Sequence, residues 1–219
     1  DAVMKITNFE ALIDERTMKK KTMIVLMSAF LLLSAFSCGG GNKANSTSEQ
    51  SEETAVNVPQ FDADSAYLYV KNQVDFGPRV PNTKEHVACG NYLAGQLEAF
   101  GAQVTNQYAD LIAYDGTLLK ARNIIGSYKP ESKKRIALFA HWDTRPWADN
   151  DPDEKNHNTP ILGANDGASG VGALLEIARL VNQQQPELGI DIILLDAEDY
   201  GAPQFYTGQH KEEFWCLGS

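Results

Sequence analysis

Apolar residues recur at helical spacing across residues 62–74, where Ala66, Tyr67, Val70 and Val74 fall on the repeat and predict a helix. The stretch Phe76-Gly77-Pro78-Arg79-Val80-Pro81 interrupts it, since proline can neither donate a ladder hydrogen bond nor fit inside a helix. Asn82 stands three residues before Glu85, the spacing of an N-cap and its capping-box partner, so a second helix is expected from there to about Phe100. Val87, Tyr92, Leu93, Leu97 and Phe100 lie on or near one face of it, and Gly101 is its expected stop. Residues 103–108 and 111–114 alternate as strands do, and Asp115-Gly116 is a hairpin-turn signal before Thr117-Leu118-Leu119. Residues 121–128 read as a further strand.

Residues 135–140 are short, apolar and continuous, the mark of a buried strand. Residues 170–181 return to helical spacing through Val171, Leu174, Leu175 and Ala178, and residues 190–195 are a second buried strand. Strand, long loop, helix, strand is a β-α-β unit with a parallel pair. In such sheets ligands bind beyond the carboxyl ends of the strands, which directs attention to the residues after Ala140 and after Leu195.

The first part of the chain differs in kind. Met18 is the favoured start, because Lys19-Lys20-Lys21 and an apolar run over residues 23–36 follow it and end at Ser37-Cys38. A positive region, a short apolar core and a small residue make a secretory signal; a single membrane-spanning anchor is the competing reading. Ala35-Phe36-Ser37-Cys38-Gly39 resembles a bacterial lipobox, which implies acylation of Cys38 and a lipid anchor. Residues 39–58 are polar and rich in Gly, Asn, Ser and Thr, a tether. The expected organisation is therefore an upstream or non-native extension (1–17), a lipoprotein signal (18–38), the tether (39–58) and the N-terminal part of a catalytic domain (59–219). The expected location is the bacterial cell envelope, exported, lipid-anchored and facing the periplasm.

The formal net charge of −10 argues against a phosphate-backbone binder, so no nucleic-acid partner is expected. Besides Cys38 there are Cys89 and Cys216, which could form a disulfide in an exported protein or remain buried thiols.

His141-Trp142-Asp143 follows the first buried strand and Asp196-Ala197-Glu198-Asp199 follows the second, while Asn165-Asp166-Gly167 leads into the helix. Imidazole and carboxylates converging beyond strand ends supply what zinc requires. Each also has an ordinary structural use: Asn165-Asp166 as helix N-caps, the acids as a solvated loop, Trp142 and Trp147 as loop packing rather than pocket lining.

Taken together, His-x-Asp, Asn-Asp-Gly-x-Ser-Gly before a helix, and a strand ending in two adjacent acids resemble the M28 metallopeptidase family, as does Gly77-Pro78-Arg79 with its following helix. Within it, His141-Trp142-Asp143-Thr144-Arg145-Pro146-Trp147-Ala148, Leu195-Asp196-Ala197-Glu198-Asp199-Tyr200-Gly201 and Trp215-Cys216-Leu217-Gly218-Ser219 are similar to the bacterial zinc-type glutaminyl cyclases. Aminopeptidases of the family carry Glu-Glu where this chain has Glu198-Asp199. The resemblance implies an α/β fold with a mixed, mostly parallel open sheet flanked by helices, incomplete in this chain. It implies Asp166 and Asp199 as zinc ligands and Glu198 as proton shuttle. His141 would be a second-metal ligand in an aminopeptidase and Asp143 its orienting partner; Trp142 and Trp147 are candidates to line the substrate pocket. One Zn2+ is expected for a cyclase and two for an aminopeptidase, with peptide or protein N-termini as substrate. The third cyclase ligand is expected beyond Ser219, His157 and His210 being out of pattern, so a longer protein is anticipated. The activity implied is conversion of N-terminal Gln to pyroglutamate with release of ammonia; the alternatives are an M28-type zinc aminopeptidase and a catalytically dead peptidase-like binding module.

Overall fold

Asp62 opens the first helix, α1 (Ala63–Val74), by accepting from the main-chain N–H groups of Asp64 and Ser65 in a computed structural model that describes residues 57–208. The readings of residues 1–56, with Cys38 among them, and of His210 and the segment 215–219 lie outside the described residues. The described part belongs to one compact unit, Val56–Ser219. Among the described residues no helix is long and apolar enough to cross a membrane.

The turn after α1 carries Gly77 at φ 95, and α2 (Lys84–Ala99) follows. Its N-cap is Thr83, not Asn82: the threonine hydroxyl accepts from His86 N at 3.2 Å. Asn82 instead adopts φ 74 and bonds Leu118 and Lys120 across the chain, a local use that a capping pattern in sequence does not distinguish. Of the apolar residues at helical spacing, Tyr67 and Val87 face solvent (72% and 56% exposed).

The two stretches expected at 103–108 and 111–114 merge into one strand, β1 (Gln103–Ile112), which ends before Ala113 and pairs antiparallel with β2 (Leu118–Tyr128). The Asp115-Gly116 turn joins them, with Gly116 at φ 91 and Asp115 accepting from Thr117 N at 2.9 Å. β3 (Arg135–His141), α3 (Gly170–Gln183) and β4 (Gly189–Leu195) complete the β-α-β unit. The sheet order is β1-β2-β4-β3. β3 and β4 run parallel as expected, but β4 is antiparallel to β2, so antiparallel pairs outnumber the parallel one among the described strands. β3 is the outer strand there, and Ile136 and Phe139 are exposed (46% and 59%), contrary to its reading as a fully buried strand.

Leu93 and Leu97 of α2, Val171, Leu175 and Ala178 of α3, and Ile190, Ile192 and Leu194 of β4 form one core with Ile124 of β2. The period-2 alternation of β4 places these three residues on the face that the helices cover. α1 crosses α3 closely: a Cβ on Gly172 would lie 2.6 Å from the Val70 Cγ2 methyl. Cys89 sits in this core, its thiol pushed up to about 12 by burial; Cys216 lies outside the described residues.

Candidate active site

The parallel pairing of β3 and β4 ends on the rung His141–Leu195, and Trp142 N donates to Leu195 O at 3.0 Å. The two strands therefore release His141-Trp142-Asp143 and Asp196-Ala197-Glu198-Asp199 side by side at the carboxyl rim.

The exit from β4 is held by two buried carboxylates. Asp196 accepts from both the Arg122 main-chain N–H (2.6 Å) and its own neighbour Ala197 N (2.8 Å), and receives His86 Nε2 at 2.8 and 2.9 Å. Its carboxyl is raised by burial, with the His86 contact opposing. Ala197 then turns the chain at φ 59, a left-handed conformation that non-glycine residues adopt at a cost of about 1 kcal/mol or more. The turn aims the next two N–H groups at Asp143, which is fully buried and accepts from Glu198 N at 3.2 Å and Asp199 N at 3.0 Å. Asp143 thus fixes the main chain of the acidic pair as well as facing His141.

The His141 ring donates from Nε2 to Asp166 Oδ1 at 2.9 Å. Its Nδ1 lies 3.4 Å from Asp143 Oδ1 and 3.8 Å from Glu198 Oε2, buried and without a hydrogen bond. Burial disfavours a charge on the ring, but the adjoining Asp143, Glu198 and Asp166 outweigh it and push His141 up to about 9.

Asp166 reaches the ring because the segment Ala164–Ser169 is a wide turn and not the start of a regular helix. Asp166 is extended there (φ −103, ψ 103) between Gly163 at φ 56 and Gly167 at φ 84. A Cβ on Gly167 would stand 2.9 Å from His141 Cε1 and closer still to the His141 carbonyl oxygen, so only glycine lets this turn pass beneath the imidazole. The cap position of α3 is Ser169, and neither Asn165 nor Asp166 serves as its N-cap.

Asp199 is pushed up to about 6, first by burial and then by the charges of Asp166 and Asp143, against the pull of Arg145 and His141. Its Oδ2 is buried and makes no hydrogen bond. Arg145 Nη1 stands 3.6 Å from Asp199 Oδ1, but the guanidinium is held by Asp149 at 2.7 and 2.6 Å. Asp149 also accepts from Gln204 N at 2.9 Å, and the Arg145 bonds hold its carboxyl down at about 2.

Trp142 is not a pocket residue. It is fully buried, stacked on His86 with ring centroids 4.3 Å apart, and its indole donates to Arg122 O. Trp147 remains partly exposed, in edge contact with Tyr114 (5.7 Å) and Tyr200 (5.3 Å). His157 lies in the polar loop and bonds Asp151 O. Sequence reading passed over Arg145, Asp149 and the buried His86–Asp196 pair; the i, i+4 spacing of Arg145 and Asp149 was the available signal for the first two.

Among the described residues no three His, Cys, Asp or Glu side chains are spaced to enclose a metal ion on their own. The site nonetheless fits a cation. An unpartnered buried oxygen on Asp199, mutual repulsion with Asp166 and a half-buried Glu198 alongside are a donor set short of a positive charge.

Residues 123–219 match the model of peptidase family M28. The solved structure of a Bacteroides thetaiotaomicron glutaminyl cyclase bound to N-acetylhistamine is similar at 94% identity and TM-score 0.71, over 74% of this chain and 56% of that one. A Zn-dependent exopeptidase from Parabacteroides distasonis ATCC 8503 is similar at 64% identity and TM-score 0.71, over 74% of this chain and 55% of that one. An uncharacterized protein of Escherichia coli (strain K12), YfbL, is 35% identical over 115 residues, 52% of this chain and 32% of its own length. The chain thus spans little more than half of these solved relatives and about a third of the curated one. The mixed sheet and the carboxylates at its rim agree with the matched profile, and residues 123–219 of the chain are similar to peptidase family M28.

Proposed function

We propose that the protein of which this chain is part is a zinc-dependent glutaminyl-peptide cyclotransferase acting on peptide or protein N-termini. The observation that carries the reading is the acidic pair itself: Glu198 and Asp199 adjacent, their N–H groups pinned by Asp143, with an unpartnered Asp199 oxygen beside Asp166. The likeness to a glutaminyl cyclase at 94% identity supports it.

Asp166 and Asp199 would hold a single Zn2+, which supplies a Lewis acid for the substrate's amide oxygen. In the reaction the α-amine of an N-terminal Gln bonds to its own side-chain carbonyl carbon, the C–N bond to the side-chain nitrogen breaks, and ammonia leaves. Glu198, with its side chain 32% exposed, is reachable by the attacking amine. Its carboxylate takes the proton that the amine must lose and returns one to the departing nitrogen. Asp143 keeps Glu198 and Asp199 at fixed spacing, and His141 places a positive charge next to Asp166. Because the attack is intramolecular, orientation is the larger part of the task.

A second reading, an aminopeptidase with two zincs, is favoured by one contact: His141 Nε2 already shares Asp166 with the site. The products separate the two. Full-length, zinc-loaded protein incubated with a peptide beginning in Gln should convert it to a product lighter by one ammonia, and Glu198→Gln should cut turnover by about 10²–10⁴-fold while zinc stays bound. Release of free Gln would replace the cyclase by the aminopeptidase; no reaction with any N-terminus would leave a binding module.

The lipobox-like Cys38 and the charged and apolar run before it support export and a lipid anchor at the cell envelope. Metabolic labelling with a fatty-acid analogue tests this; equal labelling of a Cys38→Ser variant would remove the anchor from the proposal.

A further inference from the structure

Arg79 takes no part in the chemistry derived above, yet its side chain is fully buried beneath the site. We propose that Arg79 is a positioning residue that clamps together the two loops from which His141, Asp143 and Asp166 depart. The inference rests on the metal-site reading only for its functional consequence; the clamp itself is visible in the hydrogen bonds.

Nε donates to Trp142 O at 3.1 Å, the carbonyl of the residue between His141 and Asp143. Nη1 donates to Leu162 O at 2.7 Å and Nη2 to Gly163 O at 2.8 Å, both in the segment that runs into the Asp166 turn. A longer bond from Nη1 to Gly77 O (3.4 Å) ties the group to its own turn. The Arg79 carbonyl in turn accepts from Thr144 N at 3.3 Å, a second tie to the loop after β3. One rigid plane of donors therefore spans three separate stretches of chain.

All of these acceptors are main-chain carbonyls, and the carboxylate of Asp143 acts on the cation only through space. Filling the same volume with an apolar side chain would avoid the cost of desolvating a charge. It would not hold those carbonyls at a fixed separation. The surroundings allow no slack: a Cβ on Gly163 would lie 3.0 Å from Nη2 and would collide with the Asp166 carbonyl and the Thr144 methyl. A displacement of one loop relative to the other would change the His141–Asp166 contact directly, since each partner sits on a different one.

Lysine keeps the charge and most of the volume but cannot present the fork. In full-length Arg79→Lys, amide hydrogen exchange should accelerate over residues 142–144 and 163–168 while β1 and β2 keep their parent protection. Zinc affinity, measured by chelator competition, should fall about 10–100-fold, as it does when groups that orient metal ligands are changed. Added guanidinium ion should restore both properties to Arg79→Ala, and methylammonium should not. Exchange that rises equally across β1 and β2 would reduce Arg79 to general stability and overturn the clamp. So would unchanged exchange in the two loops. If the parent protein binds no zinc, the metal reading fails by itself and the exchange pattern still decides Arg79.

Discussion

Replacing Asp149 by Asn removes one charge and one of two oxygen acceptors from a nearly closed site, and the structure gives the size of the effect. The Asp149 side chain is 1% exposed and grips Arg145 through both oxygens, so solvent screens the pair little. Its carboxyl stands at about 2 against an ordinary 3.8. At roughly 1.4 kcal/mol per pH unit, that gap amounts to about 2.5 kcal/mol of folding stability. Because the folded value is the lower one, the contribution is complete above pH 3.8 and fades as pH falls through about 2. Asparagine keeps one acceptor, but its amide nitrogen must face a guanidinium N–H at either position, and Gln204 N as well at the Oδ2 position, leaving at least one donor unmatched. Arg145 is then free to lean on Asp199, whose Oδ1 is 3.6 Å away, and compete with any cation there. Urea unfolding of metal-free protein should show Asp149→Asn weaker by about 2–3 kcal/mol at pH 7, converging on the parent in acid, with a loss of zinc affinity alongside. A difference below about 0.5 kcal/mol at neutral pH, the scale of a surface substitution, would refute the argument, as would a difference that persists unchanged at pH 2.

Gly172→Ala should lower stability by about 1–3 kcal/mol even though alanine is the better helix former by about 1 kcal/mol, because the new methyl would meet Val70 Cγ2 at 2.6 Å and the Ala66 carbonyl at 2.9 Å; a melting temperature equal to or above the parent's would show that α1 can give way. In metal-free protein the His141 ring should titrate near 9 and not at 6.5, contributing stability that is whole below 6.5 and lost as pH rises through 9. Ring-proton chemical shifts measure this, and a midpoint at or under 6.5 would mean that burial outweighs the three carboxylates.

The β-α-β unit was legible because its signals are local: unbroken apolar runs at residues 135–140 and 190–195, a 3.6-residue repeat between them, and acids after each strand. That same reading brought His141, Asp143, Asp166, Glu198 and Asp199 to one rim, where the hydrogen bonds join them. What it missed depends on partners distant in sequence. Nothing local to Arg79 tells that its acceptors lie 63, 83 and 84 residues away. Trp142 follows the strand's last residue and so looks like a rim residue, but the main chain turns it back onto His86. Thr83 and Asn82 are both good caps, and only the cross-chain bonds of Asn82 to the start of β2 decide between them.

The turn at Gly163 and Gly167 limits how the site can be diversified. A directed-evolution library that varies these two positions to widen the cleft spends its clones on side chains for which there is no room: at 167 against the His141 ring and carbonyl, at 163 against Thr144 and the Asp166 carbonyl. Leu162 and Asn165, exposed neighbours in the same segment, point to where sequence can change without moving the chain. Sequence change in this scaffold is more readily accepted there and around Trp147 than at the two glycines.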